Sequence, residues 1–220
     1  MSQRTGILAA RMWLLTLLDA AERIGIVPLS AQRLHRLVYL ANAMAPVYDL
    51  LTPDGYLLKY KRGPFFPEVQ WDIDRVCAQG LANAYNLKTL KDELGWWFEA
   101  DYGLTPIGMS AVDKALRLPQ MARRASFLRE VVRAFASVIN DENTQAEQDD
   151  IVLMDISYDH ADDQGPIDFD TATRNLTVLA ADAIARRVDK EETASRRQTV
   201  HIYFRYLDRV WGLHQSRARA

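Results

Sequence analysis

The stretch Tyr56-Leu57-Leu58-Lys59-Tyr60-Lys61-Arg62-Gly63-Pro64-Phe65-Phe66-Pro67-Glu68-Val69 decides how the rest of the chain is read. Leu57 and Leu58, followed by the aromatic-basic alternation of Lys59, Tyr60 and Lys61, predict a short strand. Gly63-Pro64 stops it, because proline has a fixed φ and no backbone N–H, and glycine admits the turn. Phe65 and Phe66 then stand between two prolines. From Pro67 the pattern turns helical. Proline suits a first helical position, Glu68 lies at the positive end of the dipole, and Val69, Ile73, Val76 and Cys77 recur at helical spacing. The reading is strand, rigid corner, helix. Two uses fit Phe65 and Phe66: they plug the junction between corner and core, or they form a presented recognition surface.

Upstream, a first helix is predicted from about residue 5 to Arg23, ended by Gly25. Pro28 breaks the link, and Ser30 caps a second helix whose stripe is Leu34, Leu37, Val38, Ala41 and Ala45. Pro46 ends or kinks it, and Pro53-Asp54-Gly55 is a turn. Downstream, the helix at 67–79 leads to a strand at 81–87, a charged loop at 88–95 and a returning strand at 96–102, where Trp96-Trp97-Phe98 favours a sheet. Thr105 caps a further helix that opens at Pro106.

Helices followed by a two-stranded hairpin is the order of a winged-helix domain, with 81–102 as the wing. In DNA-binding use, the helix before the wing enters the major groove. Here that helix carries Glu68, Asp72 and Asp74 against a lone Arg75, which opposes phosphate attraction. Lys88, Lys91 and the group Lys59, Lys61, Arg62 are left either to touch a nucleic acid backbone weakly or to form a solvated face.

Leu34-His35-Arg36-Leu37-Val38-Tyr39-Leu40-Ala41 resembles the "K-L-x-x-L-x-Y-L-A" helix that opens Panacea-type antitoxin domains, and Lys59 to Pro67 resembles their "W-K-Y-G-P-x-x-P-x-V" segment. The chain departs from that pattern at Arg62, where tyrosine is usual, and at Phe66, where a small or aliphatic residue is typical. Phe65-Phe66-Pro67, Asp72-Ile73-Asp74-Arg75-Val76, Gly80-Leu81 and Leu104-Thr105-Pro106-Ile107-Gly108 look closer to the middle component of bacterial ABC-three-component systems, which include the Lamassu anti-phage systems. The resemblance covers roughly residues 30 to 115. It implies a small protein that accompanies an SMC/Rad50-like ATPase and an effector, often a nuclease. By analogy with winged-helix subunits that dock on such ATPases, the partner-binding residues it suggests are Lys59, Lys61, Arg62, Phe65 and Phe66 at the corner. Tyr203 and Trp211 on the last helix complete the set.

The chain has 220 residues, 49% hydrophobic and 25% charged, which suits an ordinary globular protein of one large domain or two small ones. One cysteine, Cys77, excludes a disulfide framework, fits a reducing cytoplasm and falls on the apolar side of its helix. The apolar run from Met12 to Leu18 is too short to span a bilayer and lacks a cleavage site. A cytoplasmic protein without membrane contact is expected.

Beyond Leu118 the chain reads as helical, with Phe127, Leu128, Val131, Val132, Phe135 and Val138 on one face, a helix at 176–188 and a last helix at about 193–214. The last helix carries Val200, Tyr203, Phe204, Leu207, Val210 and Trp211, a stripe that needs either the protein's own core or another chain. Between Arg133 and Arg174 lie eleven carboxylates and no lysine or arginine, although the whole chain carries a net charge of only −2. The rest of the molecule is therefore net basic. Such asymmetry marks either an interaction face for a basic partner or, over 141–150, a solvated acidic linker.

Chemistry is sparse. His160, Asp162, Asp163, Asp168 and Asp170 lack the order of a calcium loop, no zinc-ligand spacing occurs, and no phosphate-binding glycine loop or nucleophile elbow is present. The expectation is a fold that is mainly α with a small β-hairpin wing. A winged-helix-like domain at 1–118 would be followed by a helical region at 119–220 with an acidic segment at 141–170. The expected function is a non-enzymatic accessory subunit, without cofactor or metal, that binds an ATPase and helps hold an effector. The alternatives are a Panacea-like antitoxin or adaptor and a winged-helix DNA-binding regulator.

Overall fold

The computed structural model describes residues 2–52, 57–60, 63–93, 95–139, 148–162, 165, 167, 169, 175–188 and 195–218. The fold is mainly α-helical with a small antiparallel sheet. Helix α1 spans Ser2–Ile24 and α2 spans Ala31–Met44. The Ser30 hydroxyl accepts from the Arg33 N–H at 3.2 Å, which is the cap expected of it. Every residue of α2 from Leu34 to Met44 is buried, so it is the central helix and not an amphipathic surface one. A 3₁₀ turn, Ala45–Tyr48, follows at Pro46.

Between the helices, Leu29–Ser30 form strand β1, too short to announce itself in sequence. Strand β2 is Leu58–Tyr60 and β3 is Gly63–Phe65, paired antiparallel with Leu58 opposite Phe65 and Tyr60 opposite Gly63. The expectation that the chain leaves the sheet at Gly63-Pro64 is thus corrected: it turns back into a second strand. Gly63 has φ +114°, a conformation open to glycine, and Pro64 occupies an edge strand, where its missing N–H costs no ladder bond.

Helix α3, Pro67–Ala78, leads into β4, Ala82–Asp92, and β5, Gly95–Leu104. The hairpin is longer than expected, because 88–92 belongs to the strand and not to a loop. Lys88 pairs with Glu99 and Asp92 with Gly95. A bulge between Tyr85 and Lys88 takes up one extra residue of β4, with Asn86 at φ 52°. The sheet order is β1-β5-β4. Thr105 then caps α4, Pro106–Ala115, through its hydroxyl and the Gly108 N–H at 3.0 Å. Gly108 packs so tightly that an added Cβ would lie 2.0 Å from the Leu81 carbonyl oxygen.

Helix α5, Pro119–Ile139, lies along α1, with the Trp13 and Phe127 rings 5.8 Å apart. A 3₁₀ helix at Gln148–Met154, the short α6 at Ile156–His160, then α7, Leu176–Val188, and α8, Arg196–Ala218, complete the fold. One hydrophobic core runs from Leu14, Leu17 and Leu37 through Phe127 and Phe135 to Phe204 and Leu207, on both sides of residue 118. Among the described residues no helix is long and apolar enough to cross a membrane.

Candidate interaction groove

Alternate residues of β5 share a face. Ala100, Tyr102 and Leu104 press that face onto the core, whereas Trp96 and Phe98, on the same face nearer the tip, project past the helices and are 69% and 73% exposed. Opposite them stands the β2–β3 hairpin with Leu58, Pro64 and the half-buried Phe65. The start of α2 and Gln70 of α3 form the floor. The enclosed groove has a volume of about 440 Å³.

The floor is built by His35. Its Nδ1 accepts the Phe66 backbone N–H at 3.3 Å, which leaves Nε2 to carry the proton towards Gln70 Oε1 at 3.4 Å. Its ring lies 4.9 Å from that of Phe65 and is parallel to that of Phe66, 7° between planes at 6.4 Å. Burial lowers the imidazole pKa to about 4, against a weaker opposing effect of the Gln70 bond, so the floor is uncharged at neutral pH. Gln70 Nε2 in turn donates to the Tyr102 hydroxyl at 3.2 Å and to Asp74 Oδ1 at 3.1 Å. The helix carrying His35 and the corner carrying Phe65 and Phe66, the two segments singled out in the sequence, are thus in direct contact.

The residues expected at a partner surface divide. Phe65 lines the groove. Phe66 is 3% exposed and plugs the core, Tyr203 is 1% exposed and Trp211 9%. These three are interior, and the expectation that they face a partner is corrected: the stripe of α8 finds its partner in the protein's own core, against α5 and α7. Lys59 is tied down. Its Nζ donates to the carbonyls of Asp159 at 3.2 Å and Ala161 at 3.0 Å and lies 5.3 Å above the Tyr158 ring. Lys61 and Arg62 lie outside the described residues.

Sequence reasoning missed Trp96 and Phe98 as surface residues, taking the aromatic run only as a sign of strand. A signal was present. Three consecutive aromatics at the far end of a two-stranded hairpin cannot all reach the core that Tyr102 already meets.

The acidic segment also has an interior part. Asp155 is fully buried, with Oδ1 accepting from Tyr39 at 2.5 Å, Thr177 at 2.8 Å and the Ser157 N–H at 3.0 Å, and Oδ2 accepting from Tyr203 at 2.7 Å. Burial raises its pKa, opposed by these hydrogen bonds. Asp150 pairs with the buried Arg36 of α2. Two of the eleven carboxylates therefore hold the helices together, while Asp159 and Asp162 are exposed. The positions at 141–147, 163, 168 and 170 lie outside the described residues.

Among the described residues no group of three or more His, Cys, Asp or Glu is placed to hold a metal. Cys77 is half-buried, and burial, with a smaller effect of Asp74, raises its thiol pKa. Compared with protein-family models, with curated proteins and with solved structures, the chain matches none.

Proposed function

We propose that this chain is a non-enzymatic accessory subunit of a bacterial anti-phage complex, which binds an SMC-like ATPase and helps to hold an effector, and that the groove between wing and corner is its principal contact surface. The observation that carries the reading is the exposure of Trp96 and Phe98 at the mouth of an apolar groove whose other wall holds Phe65. Two large aromatics kept in water cost a monomer hydrophobic stabilisation, while aromatics of this kind supply most of the energy at protein interfaces. The choice of partner rests on the resemblance of residues 30 to 115 to ABC-three-component middle subunits. His35, Phe65 and Phe66 are drawn from the segments that carry that resemblance.

The N-terminal part fits a winged-helix reading. Elements follow as α1, β1, α2, β2, β3, α3, β4, β5, with the β2–β3 hairpin inserted between the second and third helices. The sheet order is β1-β5-β4, and on this reading the β4–β5 hairpin is the wing. Major-groove reading by α3 is disfavoured by its surface charge. Asp72 is paired internally with Arg11 at 2.9 Å, but Glu68 and Asp74 remain on the helix with Arg75 as its lone cation. A cytoplasmic setting accords with the free thiol of Cys77.

The test is affinity purification of the tagged protein from cells expressing its whole operon, with the recovered proteins identified by mass spectrometry. Recovery of a large coiled-coil ATPase is expected. Recovery of a small toxin alone would move the function to an antitoxin, and salt-sensitive recovery of duplex DNA alone would move it to a DNA-binding regulator.

A further inference from the structure

Strand β5 is paired along its length with β4 on one side, but on the other side β1 meets it only at Tyr102 and Asp101. Residues 95–100 have no strand on that open side among the described residues. The direction of their backbone groups follows from the register. In an antiparallel pair, alternate residues bond across to the partner and the others point away. Gly95, Trp97 and Glu99 bond across to β4, counting from the closing pair Asp92 and Gly95, so the N–H and C=O of Trp96, Phe98 and Ala100 point to the open side. Leu104, of the same parity, confirms the count: its N–H leaves the sheet on that side and donates to Glu22 Oε1 at 3.0 Å. Consecutive residues from Gly95 to Glu99 line the groove, which one face of a strand cannot do and an open edge does.

We propose that the groove takes an extended, basic peptide segment of a partner protein as an added strand on the open edge of β5, with a lysine or arginine of that segment paired to Glu99. This deepens the reading of the chain as an interaction subunit and rests on it. An added strand supplies the alternating donors and acceptors that Trp96, Phe98 and Ala100 lack. Its side chains alternate too. One set meets Trp96, Phe98 and Phe65 and is best served by apolar residues, and the other set lies beside Trp97 and Glu99. The Glu99 side chain makes no hydrogen bond or ion pair among the described residues, although Lys88 is its cross-strand neighbour. With His35 neutral, Glu99 is the only charged side chain among the described residues lining the groove. Its carboxylate attracts a cationic side chain of the added strand. Outside the lining, Lys88 stands across from Glu99 and Lys91 Nζ lies 5.3 Å from the centre of the Trp96 ring. The volume of about 440 Å³ falls within the range of ligand sites, roughly 300–1,000 Å³.

The probe is a synthetic hexapeptide alternating valine and lysine, titrated into the full-length ¹⁵N-labelled protein. Expected are shifts of the Trp96, Phe98 and Ala100 amides, with a dissociation constant on the order of 0.1 mM. Glu99→Gln should weaken binding about tenfold, and N-methylation of alternate peptide amides should abolish it without touching the protein. Equal binding by a valine–glutamate peptide, equal binding by the N-methylated peptide, or no shift at these amides at about 1 mM peptide overturns the proposal. So does binding of oligo-dT to Trp96 in place of the peptide, which assigns the groove to single-stranded nucleic acid. A concentration-dependent dimer whose dilution moves the same amides assigns the edge to a second copy and overturns it equally. The probe needs no operon partner, so failure here and failure of the ATPase purification are separate results.

Discussion

Replacing Asp155 with alanine should be among the most destabilising single substitutions in this protein, because the carboxylate ties α2, α6, α7 and α8 into one interior. Tyr39 and Tyr203 each lose their acceptor in a site without water access, since both are 1% exposed or less. Thr177 retains Ser157 Oγ at 2.7 Å, so it is not orphaned. Each stranded phenol costs about 1–2 kcal/mol, and losing the cap on the Ser157 and Tyr158 N–H groups costs about 1 kcal/mol more. Release of the buried charge offsets part of this, as the raised pKa of Asp155 indicates. The net expectation is about 3–4 kcal/mol, a large fraction of the roughly 5–15 kcal/mol that stabilises a typical domain. Guanidinium denaturation followed by far-UV circular dichroism measures it. Tyr203→Phe alone should cost about 1 kcal/mol, and the double variant should be less destabilised than the sum by a similar amount. An Asp155→Ala loss within about 1 kcal/mol, or strict additivity with Tyr203→Phe, would refute the claim that this network holds the helices together.

Four further outcomes are expected. His35 has a folded pKa of about 4 against 6.5 for the free side chain, so below pH 6.5 the unfolded chain takes up a proton that the folded one refuses. Stability should be complete above pH 6.5 and fall by about 3 kcal/mol as pH drops towards 4, a slope that His35→Gln removes in urea titrations across that window. Gly108→Ala should cost about 3 kcal/mol, because the new methyl meets a backbone carbonyl that cannot turn aside, and a thermal melt will show it. Thr105→Ala, which loses both the Gly108 cap and the bond to the Gly80 carbonyl at 2.6 Å, should cost about 1–2 kcal/mol by the same melt. Trp96→Ala and Phe98→Ala should change stability by no more than about 0.5 kcal/mol, since both side chains already stand in water.

Features governed by local chemistry were legible in the chain. The caps at Ser30 and Thr105, proline opening α3 and α4, and the span of α7 follow from a few adjacent residues. What could not be read depends on distant partners. Two residues become β1 only because Tyr102 and Asp101 lie beside them. Lys88 and Lys91 look like loop because the outer part of the β4–β5 hairpin is wet on both faces and shows no clean alternation of polar and apolar residues. Asp155 hides in a run of carboxylates, and nothing nearby in sequence announces that Tyr39 and Tyr203 will meet it.

The site was half legible for the same reason. The corner stood out by composition, whereas its contact with α2 did not. Which phenylalanine turns inward, however, is decided by His35, thirty-one residues before Phe66, reaching its backbone N–H.

The most direct test of the central claim compares ATPase recovery by the wild-type protein and by a Trp96→Ala/Phe98→Ala variant, each tagged and purified from cells expressing the whole operon. The variant keeps its fold on this account, so its circular dichroism and melting temperature should match wild type while the ATPase is lost. Undiminished ATPase recovery by a folded variant would contradict the assignment of the groove as the contact surface, and recovery of no ATPase by either protein would contradict the proposed function itself.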